Sequence, residues 1–167
     1  MNQFINFFWT ILCFAGVVVY WVSAGLSPGF YIFIALSFIP ALLPQKILGK
    51  LQLSNSTRLY QRLGVRFIRR FVQHGDIANR ISRKNKPGYT AIPQKNNPAM
   101  YLKTIAMYER FHFMCLLFFL FSTVAALLDG RYIIAAVIMI CNIIYNCCPI
   151  LLQQFNRIRI RRLTETI

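Results

Sequence analysis

Four long runs of this chain carry almost no charge, and nothing else in the sequence restricts the available folds so strongly. Phe4 to Ala24 contains no charged residue; a second run extends from about Gly29 to Gln45, interrupted by Pro40 and closed by Pro44. A third covers Phe111 to Leu128 and a fourth Tyr132 to Leu152. The hydrocarbon core of a bilayer is about 30 Å thick and a helix rises about 1.5 Å per residue, so roughly 17–25 apolar residues cross it. Each run meets or approaches that length. A water-soluble domain has no interior large enough to hide them, since 57% of the 167 residues are hydrophobic and the mean hydropathy is +0.50. The expected fold is an all-α membrane protein, a single membrane domain over residues 1–167 with about four transmembrane helices.

Short connections pair the spans into two hairpins. Gly25-Leu26-Ser27-Pro28 joins the first two, and Asp129-Gly130-Arg131, built on an Asp-Gly reversal, joins the last two. A cleaved signal peptide is the competing reading of the first run, because Val22-Ser23-Ala24 resembles a cleavage site; no Lys or Arg precedes Lys46 to supply the basic leader such a peptide needs.

Charge sets the expected orientation. The chain has 19 Lys+Arg against 4 Asp+Glu. Between Lys46 and Tyr108 the only acid is Asp76, and the tail carries Arg157, Arg159, Arg161 and Arg162 against Glu165. Basic loops stay in the cytoplasm, which predicts a multi-pass protein of the cell membrane with the central segment 46–108, the tail 153–167 and both termini cytoplasmic. The expected partner of this charge is membrane lipid rather than nucleic acid, with a phosphate-bearing acyl-CoA as a further candidate. A homo-oligomer or another membrane protein remains open as a partner.

Within the central segment, Arg58, Arg62, Arg66 and Arg69 share one helical face, followed by Arg70. Leu59, Leu63, Phe67 and Phe71 form an adjoining apolar row. This pattern over Asn55–Gln73 predicts a basic amphipathic helix in the headgroup layer, capped by Ser56 or Thr57 and stopped near His74-Gly75-Asp76. Ile81 to Met100, rich in Lys, Asn, Pro and Gly, is expected to be a loop. The five cysteines all fall in the apolar runs and read as small buried residues.

Polar residues inside the apolar runs point to function, because burying them in lipid is costly. Asn142, Asn146, Gln153 and Arg157 recur at helical spacing in and after the fourth run; Glu109 and His112 are neighbours where the third begins. The hairpin brings the two sets together. One reading is catalytic: Glu109 orients the imidazole, His112 takes a proton from a hydroxyl, and the amide and guanidinium groups hold substrate. Another makes the same residues interhelical fasteners. No Gly-x-Ser-x-Gly elbow, His-x4-Asp box, phosphate-binding glycine loop or paired metal-binding histidines are present, so no metal or cofactor is expected.

The stretch from Asn146 to Gln153-Gln154-Phe155-Asn156-Arg157-Ile158-Arg159 resembles the Asn-x6-Gln-x-Tyr-Asn-Arg-x-Arg ending of the glycosyl-4,4'-diaponeurosporenoate acyltransferases, small membrane enzymes of carotenoid synthesis. Glu109-Arg110-Phe111-His112 is similar to their Glu-x-x-His, and Gly64 to Arg70 with Gly75-Asp76 to a basic-aromatic stretch in their middle. Phe155 stands where the family usually has Tyr, Ile68 where it tends to carry Trp, and Pro149 is displaced by one residue, the pattern of a divergent member. The resemblance implies transfer of a fatty acyl group to a hydroxyl of a glycosylated lipid or carotenoid. The resemblance transfers no catalytic residue of its own; the catalytic reading of the polar residues makes Glu109 and His112 the expected acid/base pair, with Asn146, Gln153, Asn156, Arg157 and Arg159 expected to bind substrate. The alternative is a non-enzymatic lipid-binding protein or a small helical subunit of a membrane complex.

Overall fold

The computed structural model describes residues 2–71 and 98–165. Among them all regular structure is helical: α1 (Asn2–Ala24), α2 (Pro28–Ser37), α3 (Ile39–Leu42), α4 (Gln45–Lys50), α5 (Thr57–Arg62) and α6 (Val65–Phe71) precede α7 (Pro98–Leu128). After it come α8 (Tyr132–Asn142), a π turn (Ile143–Cys147) and α9 (Cys148–Glu165). The expected stop at His74–Asp76 and most of the expected loop lie outside the described residues.

Among the described residues, three helices are long and apolar enough to cross a membrane: Phe4–Ala24, Pro98–Leu128 and the continuous rod Tyr132–Arg162. The second apolar run is shorter. Pro28–Leu42 would reach only about 22 Å at ~1.5 Å per residue, and it is interrupted at Phe38, just before Pro40. Proline has no N–H and its ring crowds the preceding turn, which accounts for the break. Arg110 of α7 reaches this end of the run, donating to the Leu43 carbonyl at 3.0 Å.

The third run begins earlier than its apolar stretch suggested. Pro98 opens α7 at the first helical position, where a missing N–H costs nothing. The helix ends in a Schellman motif: Arg131 N–H bonds the Ala126 carbonyl at 2.8 Å and Gly130 N–H bonds Leu127 at 3.0 Å. Gly130 sits at φ +71, which a side chain would strain. The chain turns tightly into α8, so α7 and α8 pack as a hairpin.

α1 runs antiparallel to α8. Thr10 meets the Tyr145 hydroxyl at 2.8 Å near one end, while Arg131 donates to Ser23 and Tyr20 to Asp129 at the other. Midway, a Cβ on Gly16 would lie 3.3 Å from Val137, so glycine lets the two backbones close together. Val17, Tyr20, Trp21, Phe119, Ala126, Ala135 and Ile138 form the core here. The indole N–H of Trp21 is satisfied by the Ser122 hydroxyl at 2.9 Å. The outer face of α1, with Phe4, Phe7, Phe8 and Ile11, remains exposed, as expected of residues that meet lipid.

The amphipathic segment is two helices, not one. Gly64 at φ +79 breaks it after Leu63, and Ser56 sits at the N-cap without a side-chain cap bond. The elbow turns Tyr60 and Val65 onto Leu152, Phe155 and Ile158 of α9, forming a second, smaller core.

Candidate functional site

Polar residues of α7 and α9, with the strap 51–60, converge at the basic end of the bundle. They form two connected groups, one around Arg157 and one around His112.

Arg157 and Glu109 make a buried ion pair, 3% and 1% exposed. The arginine directs Nη1 to the carboxylate and both Nε and Nη2 to Gln52 Oε1, at 3.0 and 2.8 Å. Gln154 occupies the centre. Its amide N–H groups donate to the Leu51 carbonyl and to Glu109 Oε1, each at 3.2 Å. Its oxygen accepts from Leu53 N–H at 3.2 Å and from the Tyr60 hydroxyl at 2.9 Å. Backbone groups that can only accept or only donate thus assign the orientation of this amide. Burial pushes the Tyr60 phenol above its ordinary range, so it stays protonated and able to donate. Gln52 in turn donates to Asn55 Oδ1 at 2.7 Å, and the Asn55 carbonyl accepts from Arg162 at 3.2 Å. The cluster closes on itself: a buried cation, its counter-ion and the neutral groups between them satisfy one another.

The second group lies further along α7. Asn142 donates to the Leu116 carbonyl at 3.2 Å, Asn146 donates to Asn142 Oδ1 at 2.9 Å, and Asn146 Oδ1 therefore faces His112 Nδ1 at 3.4 Å. Because a carbonyl accepts only, this chain assigns the imidazole proton to Nδ1 and leaves Nε2 as the basic nitrogen.

Pro149, which has no N–H to give the turn before it, explains the π turn and with it a shift in the polar face. Cys148 N–H bonds Ile143, five residues back, which takes one extra residue into the turn. Asn142 and Gln154 are twelve positions apart, about 120° out of phase in a regular helix at ~100° per residue. Absorbing one residue brings them within about 20° of each other.

Hence the expected site changes in detail. Glu109 does not orient His112; its partners are Arg157 and Gln154, and Asn146 holds the imidazole instead. Gln154, not Gln153, lies in the network, while Gln153 and Asn156 are half-buried. Arg159 is exposed, its guanidinium 5.6 Å from the centre of the Phe155 ring. Arg58, Arg62, Arg66, Arg69 and Arg70 are all exposed. Sequence reasoning missed Gln52 and Tyr60, which sit about a hundred residues from their partners in α9.

The model of the glycosyl-4,4'-diaponeurosporenoate acyltransferase family matches residues 44–166, most of the chain and all of both polar groups. The chain belongs to this acyltransferase family. The match takes in the strap, the elbow, α7 and the rod from α8 to α9, and begins after α2 and α3. Comparisons with curated proteins and with solved structures gave no match. For this acyltransferase family member, the polar positions within the matched region separate into a closed ion-pair cluster and an imidazole held through one nitrogen.

The two glutamines provide a direct check of the shifted face. Gln154→Leu leaves Glu109 Oε1 short of a buried partner, at about 1–3 kcal/mol, whereas Gln153→Leu should stay within about 0.5 kcal/mol. Thermal denaturation of the detergent-solubilised variants should therefore show a lowered midpoint for Gln154→Leu alone.

Proposed function

We propose that this protein transfers a fatty acyl group from an activated donor, such as an acyl-CoA thioester, to a hydroxyl of a glycosylated lipid or carotenoid at the cytoplasmic face of the cell membrane. The observation that carries the reading is the imidazole of His112, held by Asn146 through Nδ1 with Nε2 as its basic nitrogen. The ring is half-buried where the apolar part of α7 begins. An amphiphilic acceptor would present its sugar at this depth and leave its apolar body among the exposed side chains of the helices.

In the proposed reaction Nε2 takes the proton of the acceptor hydroxyl as its oxygen forms a bond to the acyl carbonyl carbon. The tetrahedral intermediate then expels the donor's thiolate as the C–S bond breaks, and the imidazolium returns the proton to sulfur. An ester and a free thiol result, with His112 restored. The Asn146 amide is committed to His112 and Asn142, and Arg157 to Glu109 and Gln52. Both are therefore assigned to positioning and fastening, and Glu109 with them. Asn156, Gln153 and Arg159, outside the closed cluster, are left as substrate contacts.

Mass spectrometry of total lipids and pigments tests this in cells lacking the gene, restored with it, or restored with a His112→Ala copy. The expected result is loss of one acylated glycolipid or pigment in the first and third, with its unacylated precursor accumulating. An unchanged profile where the protein is present in the membrane would favour the lipid-binding or complex-subunit reading.

A further inference from the structure

The α5–α6 elbow has two faces, and among the described residues one of them packs into a core. Tyr60 and Val65 are buried against α9. Leu53, Leu63 and Phe67 are not: they are 60%, 46% and 62% exposed, and Leu51 and Leu59 are exposed beside them. The break at Gly64 produces this division, since a continuous helix would carry its apolar row along a single stripe.

We propose that this second face is a docking surface for a bilayer containing anionic phospholipid, with the leucines and Phe67 entering the upper acyl region and the arginines meeting the phosphates. Three observations support a lipid occupant. The elbow packs on α9 over Leu152–Ile158, near the basic end of a membrane-crossing rod, where headgroups lie. Arg58, Arg62, Arg66, Arg69 and Arg70 are exposed on it, and Lys46 to Phe71 contains no acidic residue. A second copy of the chain, at a net charge of +15, would bring like charge against this face, whereas an anionic headgroup layer complements it. The proposal does not depend on acyl transfer; it would hold for a protein without catalytic activity.

The elbow also carries Tyr60, and the strap before it carries Gln52, the two groups that close the Glu109–Arg157–Gln154 cluster from outside the long helices. Seating the elbow on lipid would therefore hold that cluster shut.

The test is hydrogen–deuterium exchange of the full-length protein in nanodiscs of phosphatidylcholine alone and of phosphatidylcholine mixed with phosphatidylglycerol. Amides of residues 51–71 should exchange at least about tenfold more slowly in the anionic bilayer, and added salt should reduce the difference. Arg58→Gln/Arg62→Gln/Arg66→Gln should remove the dependence on phosphatidylglycerol. Leu63→Gln/Phe67→Gln should raise exchange of this segment in both bilayers, while peptides of α7 and α8 remain as slow as in the unaltered protein, which shows that both variants are folded. Equal exchange of residues 51–71 in the two bilayers would overturn the proposal. So would protection that rises with the number of copies per disc rather than with anionic lipid, which would mark a protein contact.

Discussion

His112→Ala should lower acyl transfer by about 10²–10⁴-fold, the usual contribution of a positioned general base, while the protein accumulates in membranes close to its normal level. The separation of these effects follows from geometry. His112 is half-buried and its bond to Asn146 is long, 3.4 Å; an interhelical hydrogen bond in a membrane averages only about 0.6 kcal/mol. Removing the imidazole should leave the fold standing and take away the base. Asn146→Leu tests the holding role. It keeps Nε2 but releases Nδ1, so the ring loses its fixed tautomer, and the rate should fall by less than in His112→Ala. Both are measured as acylated product formed by membranes containing matched amounts of protein. Full activity in His112→Ala would end the proposed mechanism.

Glu109→Ala and Arg157→Ala should each have the opposite profile, a loss of the folded protein itself. Each leaves one buried charge without its counter-ion, at about 3–5 kcal/mol, which is a large share of the roughly 5–15 kcal/mol that holds a typical domain together. Arg157→Ala also deprives Gln52 of its donor and loosens the strap from α9. Replacing both charges together, Glu109→Leu with Arg157→Met, should recover much of the loss, because an apolar pair needs no mutual neutralisation. The readouts are the amount of protein in the membrane fraction and the unfolding midpoint in detergent. If the double variant is stable and still transfers acyl groups, Glu109 is a fastener. If it is stable but inactive while His112 is intact, Glu109 belongs to the chemistry.

The ion pair also accounts for a choice the sequence left open. The same polar residues can be read as acid/base machinery or as interhelical glue, since both need carboxylate, imidazole and amide groups on facing helices. In the proposed function, hydrogen-bond saturation is what divides their roles. Every polar atom of Gln154 is occupied, and Arg157 directs its bonds to Glu109 and Gln52. Among these polar groups of the described residues, His112 is the one assigned a basic nitrogen, Nε2, once the asparagine chain takes up Nδ1.

The amino-acid sequence by itself determined the all-helical membrane fold, the basic end, the Asp129–Arg131 reversal and the placing of Glu109 and His112 on α7. These depend on local properties: apolar length against bilayer thickness, the clustering of Lys and Arg, and glycine's tolerance of positive φ. The family resemblance was legible too, in the Asn-Arg-x-Arg ending and the Glu-x-x-His. Tertiary structure decided the rest. Counting at 3.6 residues per turn selects Gln153, because the count assumes a regular helix; the π turn ahead of Pro149 adds one residue and delivers Gln154. Gly64 could be read as a weak point in an amphipathic helix, but only packing against Leu152, Phe155 and Ile158 shows which side is buried. Gln52 and Tyr60 carry no local mark of their role, for their partners lie about a hundred residues away. Periodicity records which face of a segment is apolar; which polar group meets which is settled only when the helices pack and each buried donor and acceptor must find a partner.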